Sequence, residues 1–360
     1  MIVNEKNYST IWLSGKKIKI IDQTKLPFKF KIKELSSLTS FVNAIKAMEV
    51  RGAPLIGVTA AFGLAFEIFR NAENHNIEEA AKKLLESRPT AVNLRWAIDK
   101  VKSVMKKPKQ DRALKSLEIA KKIREDDINF CKRIGKNGLD IIKQIYKKKK
   151  SKINILTHCN AGWLATVDWG TALAPIFFAH RQGIPLHIWV DETRPRNQGA
   201  LLTSWELKNE KVPHTVIVDN AGGHLMQNQE VDMCLVGSDR TTISGNVCNK
   251  IGTYLKALAA KENKIPFYVA LPTSTIDAKI KKISQIPIET RSGEELSKSK
   301  FNFFHRIVEG KIFEDGTPTF NPAFDVTPSK LITKLITEKG ICEPNQESIS
   351  KLLKLSLIHI

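Results

Sequence analysis

The sequence predicts an α/β fold: an N-terminal, mainly helical domain carrying a small β-hairpin, then a Rossmann-like C-terminal domain with a parallel sheet. Three observations carry this. The 360 residues exceed what one hydrophobic core usually organises, so two domains are expected. Helical patterning dominates from residue 34 to about 146. Beyond a lysine run, short apolar segments alternate with helical ones, the signature of βαβ units. The expected boundaries are 1–150 for the helical domain, 151–342 for the Rossmann-like domain and 343–360 for a C-terminal helical tail with no assigned role.

In chain order, residues 11–13 and 16–22 read as two strands around a Ser14-Gly15 turn. Residues 55–69 form an apolar helix, with Pro54 suited to its first turn, where a missing N–H costs nothing. The Thr90 hydroxyl is placed to cap the next helix, 91–105. A further helical pattern covers 111–146. The C-terminal half offers strands at 153–157, 186–190, 215–218, 233–236 and 267–270, separated by helices such as 166–182 and 250–262. No G-x-G-x-x-G and no phosphate-loop motif accompanies them, so neither a dinucleotide nor a nucleoside triphosphate is indicated.

Apolar residues make up 42% of the chain and charged residues 26%, an ordinary globular composition. No apolar stretch approaches the roughly 20 residues that span a bilayer. Met1-Ile2-Val3-Asn4-Glu5-Lys6 lacks the apolar core of a secretory signal. A cytoplasmic protein with no membrane partner is the expectation. The five cysteines, Cys131, Cys159, Cys234, Cys248 and Cys342, are widely spaced, without C-x-x-C or zinc spacing. Neither a disulfide framework nor a metal centre is therefore expected. The net charge of +20 raises the nucleic-acid class, yet residues 100–152 carry 13 of the 20 excess charges. Their densest part, Lys147 to Lys150 with Lys152, reads as a solvated connection without interleaved aromatics to stack bases. No nucleic-acid partner is expected.

In an open parallel sheet, ligands bind beyond the carboxyl ends of the strands. Four of these ends are dense in polar side chains: His158-Cys159-Asn160, the stretch from Asp191 to Gln198, Asp219-Asn220, and Ser238-Asp239-Arg240. If the strands are neighbours, the four ends converge on one site. Two further elements suit phosphate. Asn249-Lys250 precedes the 251–262 helix, whose first amides together with a lysine favour an anion. Arg51-Gly52-Ala53-Pro54 opens the apolar helix, where Gly52 permits close backbone approach and Arg51 can grip phosphate bidentately. The plain alternatives are a buried structural thiol for Cys159 and an ion pair with Arg240, or a helix cap, for Asp239. Cys131, Cys234 and Cys342 sit in apolar patterns and read as core; Cys248 lies near the site without a role. His158 reads as a supporting residue.

Through these residues the sequence resembles the methylthioribose-1-phosphate isomerase family, in the superfamily of translation-initiation-factor exchange-factor subunits. The resemblance rests on RGAPLIGVTAAFGLA (51–65), SRPTAVNLRWAID (87–99), ILTHCNAG (155–162), DETRPRNQGALLTSWEL (191–207), VGSDRTTISGNVCNKIGTY (236–254), PFYVALPTSTID (266–277), IPIET (286–290) and NPAFDVTPSKLI (321–332). It implies Cys159 and Asp239 as the catalytic pair. It implies Arg51, Gly52, Ala53, Arg88, Gln198, Asn249 and Lys250 as substrate-binding positions. Two departures flank the pair and bear on substrate preference: Trp163, where a small residue is more usual, and Ser238, where alanine is commoner.

The implied reaction converts 5-methylthioribose 1-phosphate to 5-methylthioribulose 1-phosphate in methionine salvage. The resemblance also implies a homodimer with a small sugar-phosphate substrate, no cofactor and no metal. Two relatives compete within the superfamily. Ribose-1,5-bisphosphate isomerases share the catalytic pair, but the Trp12 hairpin and SRPTAVNLRW favour the methylthioribose branch. Regulatory, non-catalytic subunits would lack the joint presence of Cys159, Asp239 and Arg51.

Overall fold

The computed structural model describes residues 1–280, 282–304 and 306–354. Strands Ile11–Ser14, Lys17–Ile21 and Ile32–Leu35 pair antiparallel in that order, the first two turning at Gly15 as the sequence predicts. Residues 34 and 35, expected to begin the helical region, belong to the third strand. Cross-strand charge pairing, with Lys17 Nζ 2.7 Å from Glu34, holds them there. The first helix follows at Leu38–Lys46.

That helix packs with Ala53–Arg70, Asn74–Leu85, Val92–Lys102 and the first half of Lys109–Lys149 around Phe41, Leu55, Phe62, Leu94 and Ile98. Ala53–Arg70 begins with Pro54 in its first turn. By length and composition it could cross a bilayer, contrary to the expectation that no stretch comes near that. Its apolarity has another cause: it is the central helix of this region, with neighbours on most sides. Thr90 is not the cap of the following helix. Ala91 holds that position without a side-chain bond, and the Thr90 carbonyl instead accepts from Arg240 Nη2 at 2.6 Å.

Lys109–Lys149 is one 41-residue helix, about 60 Å long at 1.5 Å per residue. Lys147 to Lys149 are thus its last turn, and only Lys150 to Lys152 connect it to the next strand. There positive charge complements the helix's carbonyl end, Lys149 pairs with Asp232 at 2.6 Å, and Lys150 ends the helix at φ 56°. Ala120 and Ile123 join the helical core, whereas Ile134 and Ile142 cover one face of the sheet.

Among the described residues, seven strands form that sheet, in the order Gly340–Cys342, Lys334–Thr337, Phe267–Ala270, Met233–Val236, Ile153–Thr157, Leu186–Asp191 and His214–Ile217. All run parallel except the Gly340–Cys342 edge. The pleat sends Ile155, Met233 and Leu235 to the core under the long helix, and Leu156, Cys234 and Val236 to the opposite core. Burial on both faces explains the near-continuous apolar runs. The two strands after residue 330 are too short to show a pattern of their own.

Two expected helices are shorter. The 166–182 pattern yields Leu173–Arg181, because Trp169 and Gly170 both turn left-handed at φ 70° and 81°. The 250–262 pattern yields Thr253–Glu262. Asn249 and Lys250 therefore do not begin a helix. They end the Val247–Lys250 strand of a second sheet, ordered Ile276–Asp277, Arg240–Thr242, Val247–Lys250 and Phe324–Thr327. In the tail, Gln346–Lys354 is helical, and residues 355–360 lie outside the described residues.

Candidate active site

Ile153–Thr157 lies between Leu186–Asp191 and Met233–Val236, with His214–Ile217 next outward, so the four polar strand ends do converge. Cys159 follows the central strand at φ 67°, a left-handed conformation that costs a side-chain-bearing residue roughly 1–2 kcal/mol. Two threonines hold it. The Cys159 amide donates to Thr193 Oγ1 at 2.8 Å, and Thr203 Oγ1 donates to the Cys159 carbonyl at 2.7 Å. Thr193 is itself left-handed at φ 66°, with its amide donating to Asp219 at 2.7 Å.

Arg51 reaches this turn from the helical region. Its Nη1 donates to Asn160 Oδ1 at 2.5 Å, its Nη2 donates to the Asn160 carbonyl at 3.1 Å, and Nη2 lies 3.8 Å from Cys159 Sγ. Asn160 Nδ2 donates to buried Glu206 at 2.8 Å, which also accepts from the Trp163 and Leu164 backbone amides at 2.8 and 3.1 Å. Burial pushes the Glu206 carboxyl up to about 7 against the pull of these donors. Trp163 itself is wholly buried, its ring 5.8 Å from that of Trp205, so this departure faces the core and not the reacting pair. Ser238 does face the site and bonds Thr241 Oγ1 at 2.9 Å.

Gly52 precedes the Ala53–Arg70 helix at φ 88°, and a Cβ there would lie 2.6 Å from Ala165 Cβ. Gly52→Ala must strain the backbone or push Ala165 away. A loss of about 1–3 kcal/mol is expected, read as a lowered midpoint of thermal unfolding; an unchanged midpoint contradicts the close approach.

Asp239 follows Met233–Val236, and its amide donates to the Cys248 carbonyl at 3.0 Å. Arg240 turns away: Nη1 lies 3.4 Å from Asp277 and Nη2 bonds the Thr90 carbonyl. The alternatives of an Arg240 ion pair or a helix cap therefore do not describe Asp239. Cys159, Asp239, Arg51, Gly52, Ala53 and Asn249 line one narrow cavity of about 30 Å³. Arg88 lines an adjoining space with Gly52, Ala53 and Asp239. Gln198 lies on the other side, in a wider cavity of about 290 Å³ that it shares with Arg51. Arg51 lines both cavities, so Gln198 faces the same arginine that reaches Cys159. Lys250 is buried, donates from Nζ to the Ala323 carbonyl at 2.8 Å and lies 4.8 Å from the centre of the Phe324 ring.

Burial raises the Asp239 carboxyl above the usual carboxylate range, although Lys250, Arg88 and Arg51 oppose it; Glu289 adds to the rise. Burial likewise raises the Cys159 thiol, against Arg51 and Lys250. Burial lowers Lys250 and Arg88, each partly restored by nearby acidic groups. Three cations thus surround the pair, two of them unfavourably buried, an arrangement that welcomes an anion.

Several contributors escaped the sequence reading. Thr193, Thr203 and Glu206 act through backbone contacts that no spacing reveals. Glu289 lies within the IPIET stretch, 3.5 Å from Arg88, and the buried Glu289 Oε2 and Arg88 Nε have no hydrogen-bond partner among the described residues. Among the described residues, His158, Asp191 and Asp219 cluster as metal ligands might be expected to. These groups already have partners: Lys256 Nζ lies 3.3 Å from Asp191, and Asp219 accepts the Thr193 and Arg194 amides at 2.7 Å.

Residues 49–344 match the model of the Initiation factor 2 subunit family. The chain is 52% identical over 361 residues to a methylthioribose-1-phosphate isomerase of Methylorubrum populi, with 98% of each chain covered. It is similar to the crystal structure of 5-methylthioribose 1-phosphate isomerase from Pyrococcus horikoshii, at 36% identity and a TM-score of 0.85, covering 97% of both chains. It is also similar to a crystal structure of the translation initiation factor eIF-2B delta subunit from A. fulgidus, at 36% identity and a TM-score of 0.78, covering 97% of this chain and 100% of that one. With its fold, its convergent strand ends and these near-complete matches, the chain belongs to the methylthioribose-1-phosphate isomerases of the initiation factor 2 subunit family.

Proposed function

We infer that the chain isomerises 5-methylthioribose 1-phosphate to 5-methylthioribulose 1-phosphate, a step of methionine salvage. The observation that carries this reading is one cavity shared by Cys159, Asp239 and the Arg51-Gly52-Ala53 helix start, in a chain of this family. The substrate is a furanose whose anomeric oxygen bears phosphate. It cannot open to a free aldehyde without losing that phosphate. Opening therefore needs a proton on the ring oxygen, followed by movement of hydrogen from C2 to C1.

Asp239 is the acid for ring opening. Cys159 either shuttles a proton or stabilises the transition state of a hydride shift. Arg51, Arg88, Lys250, Asn249, Gln198 and the Gly52 and Ala53 amides hold the substrate, so that phosphate binding energy is used for orientation. A bound phosphate also offsets the cations that pull Asp239 down, which raises its carboxyl further and favours the acid form. Aldose and ketose are isomers, so no external oxidant or reductant is consumed.

Arg51 and Arg88 come from the helical region and Cys159 and Asp239 from the sheet region. This supports dividing the chain into domains 1–150 and 151–342 with a 343–360 tail, and it allows closure to exclude water. We read the protein as a cytoplasmic homodimer. The exposed Phe301, Phe303, Phe304 and Phe320 form apolar surface of the kind a second copy covers. The direct test is turnover of 5-methylthioribose 1-phosphate by the purified protein, followed as the ketose. Exhaustive chelation should leave that turnover unchanged, since Lys256 already pairs with Asp191 in the one metal-like cluster among the described residues. Loss on chelation that one added metal restores contradicts this.

A further inference from the structure

We propose that His158 is a positioning residue: by bridging the Asp191 carboxylate and the Ile251 carbonyl, it sets the spacing between Cys159 and Lys250. The inference rests on the roles read above for those two residues. His158 directly precedes Cys159 and is 1% exposed. Its Nδ1 lies 2.8 Å from Asp191 Oδ2 and its Nε2 lies 2.8 Å from the Ile251 carbonyl oxygen. Ile251 directly follows Lys250. One ring thus connects the end of the central parallel strand to the end of the Val247–Lys250 strand in the other sheet.

The turn after Lys250 is gripped from both sides. His158 meets the Ile251 carbonyl, while Asp325 accepts the Gly252 amide at 2.7 Å and the Tyr254 amide at 3.1 Å. Gly252 sits at φ 102°, and a Cβ there would stand 3.0 Å from the His158 ring, so ring and turn are in close contact. On the other side, Asp191 is wholly buried and carries Lys256 Nζ 3.3 Å from the same oxygen that faces His158. Asp219 Oδ1 lies 4.0 Å from Nδ1. The groups facing the ring are therefore Asp191, Asp219, Asp325 and, through Asp191, Lys256.

Both direct partners of the ring are acceptors. Two bonds in opposite directions require a rigid side chain with a donor at each end, which the histidine ring supplies when both of its nitrogens carry a proton. Asparagine places its amide where Nδ1 lies, and glutamine places its amide where Nε2 lies. Each therefore keeps one half of the bridge, and only the glutamine half reaches the turn that carries Lys250.

The experiment compares His158→Gln with His158→Asn in the full-length protein. It reads kcat and KM for 5-methylthioribose 1-phosphate, the thermal midpoint, and the pH profile of Cys159 alkylation by iodoacetamide, followed by peptide mass spectrometry. His158→Gln is expected to keep kcat within about tenfold of the parent. His158→Asn is expected to lose on the order of a hundredfold in kcat with a raised KM, the usual scale for a misplacement near 1 Å. Its Cys159 alkylation profile should move to higher pH, since a displaced Lys250 no longer favours the thiolate. A purely structural role would lower the midpoints of both variants and leave the alkylation profile in place. Equal kcat in the two variants, an unmoved profile, or failure of both to fold overturns the proposal. Cys159→Ser separates this from failure of the underlying reading: an active Cys159→Ser sinks that reading, whereas an inert one beside a parent-like His158→Asn sinks only the bridge.

Discussion

Asp239→Asn is expected to fold like the parent and to lose at least about a hundredfold in kcat, the usual scale for removing a general acid. Asparagine matches the shape of aspartate but cannot release a proton to the ring oxygen. The fold should tolerate it because the Asp239 backbone is held independently, its amide donating to the Cys248 carbonyl at 3.0 Å. The exchange also removes a carboxyl that burial already disfavours as an anion. Substrate binding should therefore weaken less than turnover. Circular dichroism and steady-state kinetics check both halves, and near-parent turnover would take Asp239 out of the mechanism.

Cys159→Ser carries a comparable expectation, a loss of at least about a hundredfold in kcat with the fold retained. The contacts that hold the left-handed turn use the Cys159 amide and carbonyl, not the sulfur. What changes is the reacting atom. A serine hydroxyl is far less acidic than a thiol and less polarizable, so it serves poorly as a proton shuttle or beside a migrating hydride. Arg51 Nη2, 3.8 Å from the sulfur, would still hold phosphate, so KM should move little. Parent-like kcat in a folded Cys159→Ser removes the thiol from the chemistry.

The parallel sheet was legible because both its faces are buried. That produced apolar runs at 153–157, 233–236 and 267–270 whose bounds match the strands. The cluster of polar strand ends was legible for the same reason, since neighbouring parallel strands present their carboxyl ends together. What escaped depends on tertiary contact. Lysines can end a helix or leave it, and only the fold shows that Lys147 to Lys149 complete the 41-residue helix. Asn249 and Lys250 read as a helix start because a helix does follow, beginning at Thr253. The second sheet places them beside Asp239 by pairing Val247–Lys250 with Arg240–Thr242, and Phe324–Thr327, from far along the chain, closes its other side. Glu206 and the threonines around Cys159 bond backbone groups, which leave no trace in residue type.

The central claim is that Asp239 carries the proton that opens the ring. Difference infrared spectroscopy of the parent against Asp239→Asn, with a product analogue bound, isolates its carboxyl stretch during a pH titration. An ordinary aspartate is ionised above about pH 4. Burial has already raised Asp239, and a phosphate beside Arg51, Arg88 and Lys250 cancels the cations that oppose the rise. The acid form should therefore persist at pH 7 in the complex and disappear only as pH climbs through the raised value, with turnover falling over the same range. The account predicts a protonated-carboxyl band at pH 7 that Asp239→Asn lacks; an ionised Asp239 at pH 7 with the analogue bound contradicts it.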